Sequence, residues 1–151
     1  MKKIYILFLL FICVFITGCG GTKTSVDGNT FAEIGFSNGL IVNDNMVSYA
    51  DEEYIINAKK ANRDDLIIEM IIYDSEDTAD KVQDNQIKTF NNLKNTGATV
   101  KKNKGKNYYS YSLVSNGYYM ISSRVDNTLI FCKTTLDNKD TVVNFLEKLG
   151  Y

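Results

Sequence analysis

The stretch from Asn107 to Thr134 constrains this chain most. It holds three runs rich in strand-forming residues, Asn107–Ser115, Tyr118–Val125 and Thr128–Thr134, separated by two residues each time. The first separator, Asn116-Gly117, is a strong hairpin signal, because both residues tolerate the positive φ that a type I′ turn demands. Asp126-Asn127 is a weaker form of the same signal. The chain is therefore expected to run here as an antiparallel meander. Its register places Ser115 opposite Tyr118, Leu113 opposite Met120, Tyr111 opposite Ser122 and Tyr109 opposite Arg124. Since side chains alternate across a strand, one face carries Tyr109, Tyr111, Tyr118 and Arg124. The other carries Tyr108, Val114, Tyr119, Ile121 and Val125, with Ile130 and Cys132 from the third run, and is the better core face.

Upstream, Leu66–Tyr73 reads as the clearest strand, with Leu66, Ile68, Met70 and Ile72 making one wholly apolar face. Asp74 or Ser75 then caps a long helix to about Asn95, on which Ala79, Val82, Gln86, Phe90 and Leu93 recur at helical spacing. Thr30-Phe31-Ala32-Glu33 is a capping box opening a first short helix that stops at Asn38-Gly39. Leu40–Val42 is a brief strand, Asn43–Glu53 a polar loop, and Tyr54–Ala61 a strand that turns through Asn62–Asp65. Asp137 caps a last helix with Val142, Phe145, Leu146 and Leu149 on one side and Gly150 as its stop. The expected fold is α+β: a single antiparallel-rich sheet of about five strands with helices packed on one face, in the order roughly α-β-β-β-α-β-β-β-α. Asp74-Ser-Glu-Asp-Thr-Ala79 and Asp137-Asn-Lys-Asp-Thr-Val142 echo one another. Two related strand-strand-helix halves would explain that, and so would shared capping chemistry.

The first nineteen residues have a different character. Lys2 and Lys3 precede thirteen apolar or aromatic residues, Ile4–Ile16, and then Thr17, Gly18 and Cys19. A basic start, a short apolar run and small residues form the layout of a secretory signal, and the run falls short of the ~20 residues of a spanning helix. Ile16-Thr17-Gly18-Cys19 resembles a bacterial lipobox. The resemblance implies cleavage before Cys19 and a diacylglycerol on its sulfur, so that lipid holds the chain on the outer face of the cell membrane. Two or more acyl chains give stable anchoring where one is marginal. The expected organisation is residues 1–18 as a cleaved signal peptide, 19–29 as lipidated cysteine and flexible tether, and 30–151 as one domain. The body also resembles small lipoproteins of Gram-positive bacteria, through Arg124-Val-Asp-Asn-Thr-Leu-Ile130 and Phe145-Leu-Glu-Lys-Leu-Gly-Tyr151. That likeness implies no particular activity. The richness in Asn, Lys, Ile and Tyr fits an AT-rich genome.

Composition narrows the chemistry. The chain has no His, Pro or Trp. Lack of His excludes an imidazole base, His-activated nucleophiles and His-ligated metal. Removing Lys2 and Lys3 leaves 15 of the 17 basic residues against 18 acidic ones, a net charge of −3. Such a domain offers no basic footprint for nucleic acid and no reason to lie flat on an anionic bilayer. Lys101, Lys102, Lys104 and Lys106 read as a solvated loop. Of three cysteines, Cys13 leaves with the signal and Cys19 takes lipid. Cys132 is then an unpaired thiol on the core face, with nothing to activate it. The acids Asp74, Glu76, Asp77, Asp80 and Asp84 lack the spacing of a calcium loop and suit a helix N-terminus. No metal or cofactor is expected.

Tyr109, Tyr111, Tyr118 and Arg124 are thus the candidate ligand-binding residues. Flat aromatics with hydroxyls suit stacking on sugar rings or packing against a protein partner. Tyrosine also favours strands for ordinary packing reasons. The expectation is a non-enzymatic binding or accessory domain for an envelope protein or glycan. The alternative is a wall-acting or glycan-acting enzyme using carboxylates, which needs two acids fixed in one cleft.

Overall fold

The computed structural model describes residues 21–151. The expected signal peptide, Cys19 and the first residue of the expected tether lie outside them. The elements in order are α1 (Gly28–Ser37), β1 (Ile41–Asp44), a 3₁₀ turn (Met46–Tyr49), β2 (Ile55–Arg63), β3 (Leu66–Tyr73), α2 (Glu76–Asn91), β4 (Thr99–Lys104), β5 (Tyr108–Ser115), β6 (Tyr118–Val125), β7 (Thr128–Thr135), a second 3₁₀ turn (Leu136–Asn138) and α3 (Lys139–Lys148). All strands join one antiparallel sheet of seven, in the order β1-β2-β3-β7-β6-β5-β4.

The α+β class and the antiparallel sheet are as expected, and β3 and the C-terminal meander fall where the pattern placed them. Asn116 and Gly117 adopt φ of 54° and 77°, the left-handed pair that a two-residue hairpin requires, and Asp126 adopts 50°. The sheet is wider than expected because the lysine stretch is no loop. Thr99–Lys104 pairs along β5 as an outer strand, with Lys102 opposite Tyr111 and Lys104 opposite Tyr109. Charged side chains hide a strand in sequence, yet an edge strand tolerates them on both faces, and lysine there discourages pairing with other chains.

The helices do not share one face. Leu66, Ile68 and Met70 of β3, Ile130 and Cys132 of β7, and Tyr119 and Ile121 of β6 form the main core. α1 and α3 cover it through Phe31, Val142, Phe145 and Leu146, the two phenylalanine rings meeting edge to face at 5.3 Å. α2 packs on the opposite face. There Ala79 joins Ile55, Ala58, Ile71, Tyr73 and Leu129, and Phe90 joins Tyr111, Leu113 and Met120. Helices following β3 and β7 on opposite faces rule out two equivalent strand-strand-helix halves. The only two-fold that would exchange the central antiparallel strands runs perpendicular to the sheet and keeps each face on itself. The echo between Asp74 and Asp137 is a local resemblance. Even its capping differs: Ser75 Oγ accepts from Thr78 N, whereas α3 follows a 3₁₀ turn and has no side-chain cap.

The N-cap of α1 lies three residues before Thr30, where the capping box placed it. Asp27 is its N-cap, accepting from Thr30 N at 2.8 Å, and that amide holds the Asp27 carboxyl below the usual carboxylate range. The flexible-tether expectation is corrected with it. Gly28 and Asn29 are helical, and the Asn107 side chain clips residue 23 from both sides, accepting from Lys23 N at 3.0 Å and donating to Lys23 O at 2.8 Å. Gly105 lies so close to the docked segment that an added Cβ would sit 2.5 Å from Gly21 O. Val26 packs on the main core. A short polar segment read as free because the residue that holds it lies 84 positions away.

Asn107→Ala removes both bonds to Lys23 and one to Asp126. At about 0.5–1.5 kcal/mol per bond, it is expected to release residues 21–26 while the sheet stays folded. Trypsin cleavage after Lys23 and amide exchange in this segment should both accelerate. Equal rates in wild type and variant would show that the segment is not docked.

Candidate functional site

β5 and β6 pair in the expected register and place Tyr109, Tyr111, Tyr118 and Arg124 on one face. They do not form the contiguous exposed patch that a tyrosine-based binding face requires, because α2 lies across it. Tyr111 is 1% exposed and donates its hydroxyl to Asn91 Oδ1 at 2.6 Å. Arg124 is 7% exposed. Tyr118, at 44%, stands apart beyond the helix with Lys133 Nζ 5.3 Å from its ring centroid. Tyr109 is half-buried, and its hydroxyl is shifted toward higher pKa by burial, then by Tyr111 and Asp84.

The helix is held there by a polar clasp centred on Arg124. One terminal nitrogen donates to Glu76 Oε1 at 2.9 Å and to Asp126 O at 3.0 Å. The other donates to Asp80 Oδ1 at 2.8 Å, and Nε to Gln83 Oε1 at 3.3 Å. Gln83, fully buried, donates onward to Tyr109 O at 2.9 Å and Ser122 O at 3.2 Å. Ser122 Oγ donates to Gln86 Oε1 at 2.8 Å. Glu76, Asp80 and Gln83 recur at helical spacing, so one stripe of α2 supplies every side-chain acceptor. The acidic cluster is thereby accounted for in part: Glu76 and Asp80 bind Arg124, and Asp77 pairs with Lys81. Gln83 escaped notice in the sequence because a glutamine inside a helix carries no sign of burial. Among the described residues no group of three or more acids and cysteines is placed to hold a metal.

Beside the clasp, α2 and β4 wall a groove of about 500 Å³ lined by Asp80, Asp84, Lys102, Lys104, Tyr109 and Arg124. It presents charges of both signs beside one aromatic ring. Two of the four candidate residues, Tyr109 and Arg124, therefore meet at an open site, joined by Asp84, Lys102 and Lys104. A second, more apolar groove of about 340 Å³ lies on the far side of α2, among Ile67, Phe90, Phe131 and Lys133. Cys132 is 2% exposed in the core and its thiol is pushed up to about 12 by burial, the setting of a structural cysteine. Among the described residues no helix is long and apolar enough to cross a membrane. No family model, curated protein or solved structure matches the chain.

Arg124→Ala strips the clasp of its donor and leaves Gln83 with a buried acceptor. Glu76 and Asp80 are half exposed and regain water, so the expected cost in urea denaturation is about 1–3 kcal/mol, below that of a fully buried pair. Arg124→Lys should recover only part of it, since one ammonium cannot reproduce the fork. Full recovery by lysine would argue against the clasp geometry. Cys132 should resist alkylation at pH 8 in native protein and react on unfolding, because a thiol raised to about 12 stays protonated there. Labelling of the native protein at the rate of an exposed thiol would overturn the buried assignment.

Proposed function

We propose that this chain is an extracytoplasmic lipoprotein, held by lipid on the outer face of a bacterial membrane, whose domain binds an envelope protein or glycan without catalysing a reaction on it. The observation that carries the address is Ile16-Thr17-Gly18-Cys19 directly after a basic start and an apolar run. The groove between α2 and β4 supports a binding role. Its lining offers hydrogen-bond acceptors at Asp80 and Asp84, donors at Lys102 and Lys104, and an aromatic ring at Tyr109. A polar ligand with groups of both characters, such as a glycan or a charged peptide segment, fits that lining better than an apolar one. Catalysis through carboxylates has less support. Glu76 and Asp80, the two acids that share a partner, each give one carboxylate oxygen to Arg124.

Cells fed an alkyne-tagged fatty acid should label the wild-type chain in the membrane fraction. Cys19→Ala should lose the label and leave that fraction. Crosslinking in intact envelopes should yield an adduct to one partner class, weakened at least tenfold by Asp84→Ala with Lys102→Ala, at an unchanged melting temperature. Unaltered labelling in Cys19→Ala would sink the anchor. Unaltered crosslinking in the double variant would sink the groove.

A further inference from the structure

We infer that the β4 edge of the sheet is a membrane-facing surface, its lysines resting among the anionic headgroups of the bilayer that holds the lipid. This rests on the lipoprotein reading and goes beyond it, since an anchor alone leaves orientation open. The first ground is reach. Two peptide units separate Cys19 from Gly21, a span of at most about 7 Å. Gly21 in turn lies against the β4–β5 turn, its carbonyl accepting from Lys106 N at 3.4 Å. An anchored Cys19 therefore brings that turn to the headgroups. The distance is comparable to the Debye length of about 8 Å at physiological ionic strength, so charges on the turn are only partly screened from the surface.

The second ground is charge. Lys101, Lys102, Lys104 and Lys106 are all exposed, and none forms a salt bridge among the described residues. Lys101 pairs with Ser112 and points to one face of the sheet, while Lys102 and Lys104 point to the other. Lysines on opposite faces of one strand converge on a surface only when it meets the sheet edge-on. β4 is the outermost strand, so this edge is free to do so. Glu76 and Asp77 sit toward the middle of the sheet, where an anionic surface repels them and tips the β4 edge down. Asp80 and Asp84 beside Lys102 and Lys104, and Asp126 bonded to Asn107, offset the lysines only in part. Net charge alone conceals this polarity: the domain is acidic overall and basic where the anchor joins it. The groove beside Lys104 then opens close to the membrane surface.

The test is amine labelling of the mature lipidated protein, read lysine by lysine by mass spectrometry. The protein is reconstituted in vesicles of phosphatidylcholine alone or with added phosphatidylglycerol. Lys101, Lys104 and Lys106 should react at least fivefold more slowly in the anionic vesicles, about the effect of one lysine near such a surface. Lys81 and Lys139 should react equally in both. Molar salt should abolish the difference, and Lys104→Glu with Lys106→Glu should remove it while the protein still floats with the vesicles. A lipidated chain whose edge lysines react equally in both vesicles overturns this inference alone. A chain carrying no lipid on Cys19 overturns it together with the anchor. Protection that requires added soluble polyphosphate assigns the lysines to a free polyanion and also overturns it.

Discussion

The position of α2 depends on Arg124. A guanidinium on an inward-facing strand position must find acceptors or bear a large desolvation cost. β6 supplies Ser122 and Arg124 on the same face, so the helix above cannot be simply apolar there. α2 answers with Glu76, Asp80, Gln83 and Gln86 along one stripe and reserves Ala79 and Phe90 for the apolar clusters on either side. Apolar residues of similar size could match the clasp in net stability. Its effect is on placement: the bonds form in one rotation and one axial position of the helix. That position buries Tyr111, strands Tyr118 beyond the helix and opens the groove between α2 and β4.

Because both faces are covered, the sheet has no broad exposed face left for recognition, and what remains open is its rims. The two outer strands are managed differently. β1 is four residues long and runs into a 3₁₀ turn whose Tyr49 hydroxyl donates to Glu69 at 3.1 Å, folding that rim back over β2 and β3. β4 stays extended and exposed, and its lysines prevent it from templating another chain. A lysine-bearing edge and a charged groove share that strand, so the same residues guard the fold and offer contacts.

Local signals were legible and distant ones were not. The Asn116-Gly117 turn, the alternation in Leu66–Tyr73 and the amphipathic α3 each depend on neighbours within a few residues, and each lies where the pattern placed it. The shared face of Tyr109, Tyr111, Tyr118 and Arg124 followed from turn chemistry alone. That a helix would cover this face was not legible, since it depends on a pairing of Arg124 with Asp80, 44 positions away. β4 was hidden by charge, and the docking of Lys23 by the remoteness of Asn107. Gln83 had no signal at all, because its burial is a consequence of where α2 lands.

The docked N-terminal segment changes what an anchor would mean for this domain. A free ten-residue tether averages roughly 17 Å between its ends and lets a domain tumble above the membrane. Clipping Lys23 to Asn107 removes most of that length from play. Orientation then stops being averaged by chain entropy and becomes a property of the fold, fixed by which corner of the sheet the segment is tied to. That corner is the turn between the lysine-bearing edge strand and the strand carrying Tyr109. A ligand site at this corner would meet partners lying close to the bilayer rather than ones far out in the wall.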